Sequence, residues 1–182
     1  GESAELTFVT GLAASRAAAL ALVDKFSAAR AVADTFDLAG VYSQIQLRHL
    51  NLADAAAHLF QRLAARILYP DAALRAPDDT LLQNTRGQNG LWAYGLSGDH
   101  PLLVVRVDEA GELDLVRQLL HAHEYWRLNN FTVDLVILNE HPTTYAEGLQ
   151  SQLQGLVDTS LSRPWQDKPG GVFIRRADHM PF

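Results

Sequence analysis

Residues 133–138 read VDLVIL, a continuous, largely apolar run rich in β-branched residues, and this run decides the fold. A strand of this kind is buried on both faces, as in a parallel sheet with layers on either side. Two more strands are indicated at Leu102–Val107 and Val172–Ile174, with helical periodicity between the three over Leu113–Leu128 and Tyr145–Val157. Alternation of strands and helices predicts right-handed crossovers and a parallel sheet. The second half is therefore predicted to be a small α/β domain, a β-α-β-α-β three-stranded parallel sheet covered by helices.

The first half, before residue 85, has helical periodicity instead. Leu6–Thr10 is a short strand-like run that ends at Gly11, and Ser15 is placed to cap a helix to about Phe26. A second helix is predicted from Ala29 to Leu50, and a short one from Pro77 to Gln83. Between them, a helix capped by Asn51 is predicted to end at Pro70, with its apolar side formed by Leu52, Ala56, Leu59, Leu63 and Ile67. The sequence thus predicts a helical N-terminal half with one strand at its start.

The composition indicates a soluble globular chain and excludes several function classes. Of 182 residues, 48% are hydrophobic and 20% are charged, which excludes wholesale disorder. A net charge of −6 argues against nucleic acid or an anionic membrane as the partner. The chain has no cysteine, so disulfides, thiolate metal sites and cysteine nucleophiles are excluded. Its longest apolar run, Ala17–Val23, is too short to cross a bilayer, and no direct membrane contact is predicted.

Residues 84–101 connect the two halves and read NTRGQNGLWAYGLSGDHP, without helical rhythm. Connections of this length are uncommon and often functional. Amides and carboxylates bind sugar hydroxyls, and aromatic rings stack on pyranose faces, so this segment has the residue types of a sugar site. Polar residues also follow each predicted strand, at the edge where open parallel sheets bind ligands. The candidate contacts are Gln88, Trp92, Tyr94, Asp99 and Glu140.

A structural interpretation of the same residues stays open. Trp92 and Tyr94 would then seal the interface between the halves, and the polar residues after the strands would cap the following helices. Isolated carboxylates such as Asp99, Asp108 and Glu140 could serve glycoside hydrolysis if two of them lay roughly 5–10 Å apart. The sequence does not fix that distance.

Most catalytic motifs are absent. No phosphate-binding P-loop occurs, and Gly95–Asp99 (GLSGD) has its second glycine one residue too early for a nucleophile elbow. His121 and His123 lie two apart on a predicted helix, so they point to different sides and cannot share a metal ion. His123 falls on the apolar line of that helix and is predicted to be a core residue. The sequence therefore predicts no catalytic, cofactor-binding or metal-binding residue.

Several long runs resemble one family. They are Gly87–Trp92 (GQNGLW), Gly95–Val107 (GLSGDHPLLVVRV), Glu112–Glu140, Leu59–Ala76 and Asp167–Asp178, and each is similar to a stretch of bacterial cyclic β-1,2-glucan synthases. The opening, Thr7–Phe26, resembles the exit from the β-sandwich that precedes the helical part in cellobiose-type phosphorylases and glycosyltransferase family 36 modules.

The resemblance implies an internal segment of a large, membrane-anchored, multidomain bacterial enzyme. Such enzymes polymerise glucose from UDP-glucose, control chain length with a phosphorylase-like region and cyclise the product. Residues 1–26 would be the exit strand and helix from an upstream β-sandwich, 27–83 a helical linker and 84–182 the small α/β domain. The segment would be soluble and lie on the cytoplasmic face of the inner membrane. The family's transferase motifs and catalytic acid have no counterpart here, so no catalytic role is assigned to any residue.

Three functions follow as expectations. The favoured one is a non-catalytic structural and interaction module that packs against flanking domains of the same polypeptide, which predicts an exposed apolar patch. The second is a β-1,2-glucan-binding module that uses Trp92, Tyr94 and the polar residues after the strands. The third is a small independent glycoside-processing enzyme.

Overall fold

A computed structural model describes residues 4, 6–69, 71–141 and 146–180 of the chain. Contacts divide the chain into two compact units, residues 1–51 and residues 52–182. Among the described residues, no helix has both the length and the apolar character that crossing a lipid bilayer requires.

The first unit contains the helices α1 (Arg16–Phe26) and α2 (Ala29–His49). Ser15 caps α1 as predicted, because its side chain accepts a hydrogen bond from the Ala18 N–H at 3.2 Å. The predicted strand over residues 6–10 is wrong, since this stretch has no regular secondary structure. A strand requires a hydrogen-bonded neighbour. None of the described residues provides one for this segment.

The second unit begins with the helices α3 (Asp54–Leu68) and α4 (Asp78–Leu82). Asn51 does not cap α3 as predicted. It has a left-handed backbone with φ 51°, and Ala53 occupies the N-cap position without a side-chain hydrogen bond. Asparagine tolerates this backbone better than most residues, so Asn51 ends the turn after α2 and α3 starts later.

Three strands, β1 (Leu102–Val107), β2 (Asp134–Asn139) and β3 (Val172–Arg176), form a parallel sheet in the order β1-β2-β3. The helices α5 (Leu113–Leu128) and α6 (Ala146–Thr159) connect them. The predicted α/β fold is confirmed. Compared with the prediction, β2 is shifted by one residue and β3 extends two residues further.

The two faces of the sheet are covered differently. On one face, Leu135 and Ile174 lie in the core that α5 and α6 share. Because the strand order follows the chain order, right-handed crossovers place both helices on this side. On the other face, Val136 and Phe173 lie under Leu96, from the segment before β1. The connector therefore completes the burial of β2 that its apolar sequence predicts.

Helix α3 packs against α5 through one buried side. The Phe60 carbonyl accepts a hydrogen bond from Trp126 Nε1 at 2.9 Å. The buried residues of α3 are Ala57 and Phe60, and each follows a member of the predicted apolar line by one position. Leu59, which belongs to that line, is 45% exposed. The domain limits expected at residues 26/27 and 83/84 stay predictions. The contacts place α3, which lies in the expected linker, in the same compact unit as the sheet and its helices.

Candidate functional site

The connector before β1 is more ordered than its sequence suggests. Gln88–Tyr94 forms a 3₁₀ helix that ends in a Schellman-type turn. Gly95 has φ 74°, and its N–H donates to the Trp92 carbonyl at 3.0 Å. The Leu96 N–H donates to the Leu91 carbonyl at 3.3 Å. Glycine is favoured at position 95 because the backbone there is left-handed.

Gln88, Trp92 and Asp99 converge around one backbone carbonyl. The Gln88 Nε2 amide donates to the Ser97 carbonyl at 2.9 Å and to Asp99 Oδ1 at 3.0 Å. Trp92 Nε1 donates to the same Ser97 carbonyl at 3.3 Å. Gly98 permits this approach, since a Cβ there would lie 2.6 Å from Gln88 Cγ. The residues Gln88, Trp92, Ser97 and Asp99 are termed the Trp92 cluster.

Trp92 and Tyr94 differ in exposure although both belong to the same 3₁₀ helix. Trp92 is 65% exposed. Tyr94 is half-buried against the core of Leu96 and Phe173, and its carbonyl accepts a hydrogen bond from Arg175 Nε at 2.7 Å. Tyr94 therefore helps to cover the sheet, whereas Trp92 presents most of its surface to solvent.

Glu140 lies away from the Trp92 cluster, just after β2. Its two carboxylate oxygens accept hydrogen bonds from Arg106 Nε at 2.8 Å each, which raises the pKa of Arg106 above its usual value. Asp99 precedes β1, so Asp99 and Glu140 lie at opposite ends of the parallel strands. A strand of this length spans about 17–20 Å. That separation excludes Asp99 and Glu140 as the carboxylate pair of glycoside hydrolysis. Asp108 follows β1 directly and so lies at the same end of the sheet as Glu140, whose two carboxylate oxygens are already bound by Arg106.

A buried polar network at the start of β3 was not predicted as a unit. His123 on α5 is fully buried, which confirms it as a core residue. Its ring nitrogens lie 3.1 Å from the Ser162 hydroxyl and 3.1 Å from the Gly170 carbonyl. The Gly170 N–H donates to Asp134 Oδ1 at 2.6 Å. One residue of the turn before β3 is thus held from both sides by buried side chains.

Asp134 is fully buried, and its Oδ2 has no hydrogen-bond partner among the described residues. Burial raises the pKa of this carboxyl group, because the charged form is poorly solvated there. The sequence does carry a sign of this position, since Asp134 is the charged residue inside the apolar run 133–138. Within the described part of the chain, no three histidine, aspartate or glutamate side chains are grouped so that they could hold a metal ion.

The stability of the chain should depend on pH through His123. Burial lowers the pKa of His123 from its usual 6.5 to about 4. Below pH 6.5 the unfolded chain takes up a proton that the folded chain accepts only near pH 4, so the contribution of His123 to the free energy of unfolding falls as the pH falls through this window. The raised pKa of Asp134 acts in the opposite direction, because the folded chain binds that proton more readily than the unfolded chain. The full loss is about 3 kcal/mol. Urea unfolding at a series of pH values between neutral and acidic measures it.

The control for this prediction is on the same helix. His121 is exposed on the same helix, so His121→Asn should retain the contribution of His123 to the pH dependence, whereas His123→Asn should remove that contribution. Equal pH dependence in the two variants would contradict the assignment of the effect to His123.

A comparison with known proteins supports the resemblance seen in the sequence. The chain is 36% identical over 139 residues to the cyclic β-(1,2)-glucan synthase NdvB of Rhizobium meliloti (strain 1021). The resemblance to cyclic β-1,2-glucan synthases is confirmed. The matched residues make up 76% of this chain and 5% of NdvB, so the chain corresponds to a short segment of that synthase. No family model matches the chain.

Proposed function

We propose that the chain is a non-catalytic structural and interaction module of a cyclic β-1,2-glucan synthase. It docks against flanking domains of the same polypeptide, and the parent enzyme transfers glucose from UDP-glucose and cyclises the product, as the resemblance implies. The similarity to a short segment of NdvB supports the parent. The observation that carries the docking role is an exposed apolar stripe on α2.

The stripe consists of Leu38, Val41, Tyr42 and Ile45, each more than half exposed. Their spacing places them on one side of α2. Burying an apolar side chain of this size is worth about 1.5–3 kcal/mol. A helix that leaves four of them in contact with water has one side suited to a partner. Contiguous apolar surface of this kind marks an interaction site.

Residues 6–10 add a second segment, which pairs with none of the residues that the structure describes. Thr7 and Val9 line a groove of about 630 Å³ beside α1, whereas Leu6 and Phe8 are 80% and 89% exposed. Val9 is itself 54% exposed, so the segment leaves its apolar side chains largely in contact with solvent. The segment makes no backbone hydrogen bond with any described residue. Its exposed edge supports pairing with a strand that lies elsewhere in the parent polypeptide.

The domain limits and the location belong to the same proposal. Residues 1–26 are the exit segment and helix of a preceding β-sandwich, and residues 6–10 form a strand only where the parent supplies a partner. Residues 27–83 are a helical linker and 84–182 the α/β domain. The parent is anchored in the inner membrane, with this segment on the cytoplasmic side. These assignments rest on the resemblance to the synthases and phosphorylases.

Charged substitutions in the stripe test whether it docks against another domain or only supports the fold of this chain. We expect Leu38→Glu, Val41→Glu and Ile45→Glu together to change the free energy of unfolding of the 182-residue chain by less than about 1 kcal/mol, as for other exposed positions. In the full-length synthase polypeptide the same charges would be buried at the interface. The amount of folded full-length protein should then fall several-fold. Urea unfolding and quantitative immunoblots measure the two effects.

The matched control carries charges on another side of α2. Ser43→Glu and Gln44→Glu are exposed changes away from the stripe and should alter neither the short chain nor the full-length protein. Full-length protein that tolerates the charged stripe as well as this control would overturn the docking role.

A further inference from the structure

We propose that the Trp92 cluster is a carbohydrate-binding site, in which a glucopyranose unit of a β-1,2-linked glucan stacks on the Trp92 ring and donates hydroxyl hydrogen bonds to Gln88 and Asp99. The choice of this glucan rests on the proposed function, because a segment of a β-1,2-glucan synthase would meet that polymer. The existence of the site rests on its geometry.

Trp92 offers a stacking surface that is held in place before any ligand arrives. Most of the side chain is exposed, yet its Nε1 is bound to the Ser97 carbonyl. Leu91 and Leu96, on either side of the turn, pack into the core beneath the sheet. A ring fixed in this way loses little conformational entropy on binding. One face of a pyranose presents C–H groups, which pack against an aromatic ring.

Polar atoms for hydroxyl groups lie beside the ring. Both hydrogens of Gln88 Nε2 are used, by the Ser97 carbonyl and by Asp99 Oδ1. This fixes the orientation of the amide and leaves Gln88 Oε1 as an acceptor. Asp99 Oδ2 is a second available acceptor, because it has no hydrogen-bond partner among the described residues. Hydroxyl groups donate to both atoms, and the bond to a carboxylate is the stronger one.

The surroundings of Trp92 favour a sugar over a protein or a nucleic acid. The apolar side chains on α2 are contiguous, whereas Trp92 is flanked by Gln88, Ser97 and Asp99. The core of a protein interface is depleted of charged residues. A carboxylate without a cationic partner among the described residues also repels phosphate groups. An exposed aromatic ring with placed acceptors beside it suits a pyranose unit that lies on an open surface.

NMR titration of the 182-residue chain with linear β-1,2-gluco-oligosaccharides tests the site. We expect the indole N–H signal of Trp92 to shift saturably. The signals of Trp126, which is buried, and of Trp165, whose ring stacks on Arg127 at 3.6 Å, should not move. Cello-oligosaccharides of the same length test the linkage and should bind more weakly.

Two variants and two controls test the contacts. Trp92→Ala should weaken binding by about tenfold or more, the loss expected for an aromatic anchor. Asp99→Asn preserves shape and should weaken binding several-fold, which keeps the test valid if Trp92→Ala fails to fold. Tyr69→Ala and Asp79→Asn remove an exposed aromatic ring and an exposed carboxylate elsewhere, and should bind like the unmodified chain.

A Trp92 signal that does not move at millimolar β-1,2-oligosaccharide would overturn the site. A shift that appears only when a neighbouring synthase domain is added would make Trp92 a protein contact and would also overturn it. Tighter binding of the cello-oligosaccharide would overturn the choice of glucan. The chain with the charged α2 stripe should bind glucan unchanged, so failure of the docking role is distinguishable from failure of the sugar site.

Discussion

Gly171→Ala is expected to prevent the α/β unit from folding. A Cβ at this position would overlap the Trp165 carbonyl oxygen and lie 2.7 Å from the Lys168 carbonyl oxygen. Both neighbours are backbone atoms, which cannot rotate away as a flexible side chain does. Relief would require moving the start of β3, where Val172 is fully buried. We expect a loss above about 4 kcal/mol in the free energy of unfolding, measured by circular dichroism in urea.

Gly155 provides the matched control for this substitution. It lies inside α6, and no atom comes within 4 Å of a Cβ built there. Gly155→Ala should raise the free energy of unfolding by about 0.5–1 kcal/mol, because glycine is unfavourable inside a helix. Similar stability in the two variants would show that the backbone is not as crowded at Gly171 as the structure indicates.

Trp126→Ala should have the second-largest effect. The ring is 2% exposed, lies edge-on to Phe131 at 5.9 Å between ring centroids, and donates to the Phe60 carbonyl. Truncation removes this contact area and the indole N–H that the Phe60 carbonyl accepts in addition to its helical bond. The expected cost is about 3–5 kcal/mol in the free energy of unfolding. Hydrogen exchange should also increase in α3, which loses its hydrogen bond to α5.

Trp92→Ala removes the same side chain from an exposed position. It should cost less than about 1 kcal/mol, which separates the loss of buried contacts from the loss of a tryptophan as such. Equal costs at Trp126 and Trp92 would contradict the different burial of the two rings.

The α/β part could be predicted because local patterns mark each of its elements. The run 133–138 is too apolar for a strand with a solvated face, and the period of Leu113–Leu128 gives α5 its exact limits. Ser15 caps α1 as predicted, since capping depends on a hydroxyl near the first free N–H groups.

The incorrect predictions concern features that depend on contacts with other parts of the protein and not on the local sequence. Residues 6–10 have a strand pattern, but a strand also requires a partner, and none of the described residues pairs with it. Asn51 has a residue type that suits an N-cap and also suits a left-handed turn, and the structure uses the second. Most of the predicted apolar line of α3 is half-buried, but packing on α5 buries Phe60 and leaves Leu59 exposed.

The candidate site also contains residues that local sequence brings together and residues that only the tertiary fold places. Gln88, Trp92 and Asp99 are close in sequence, and a local turn brings them together. The position of Glu140 depends on the end of another strand, where Arg106 binds it. The contact between Asp134 and Gly170 joins residues 36 apart. No short-range pattern encodes such a contact, although the buried charge in an apolar strand marks one of its partners.

Accessibility of Val41 in the full-length synthase tests the docking role most directly. The chain has no cysteine, so Val41→Cys introduces a single reporter thiol. Val41 is 58% exposed, and in the 182-residue chain the thiol should react rapidly with N-ethylmaleimide. In the full-length polypeptide, peptide-resolved mass spectrometry should show labelling slowed by about a hundredfold, because a docked side chain reacts only when the contact opens. Ser43→Cys, an exposed position on the opposite side of α2 from Val41, should label equally fast in both proteins. Equal labelling rates for Val41→Cys in the two proteins would contradict the account.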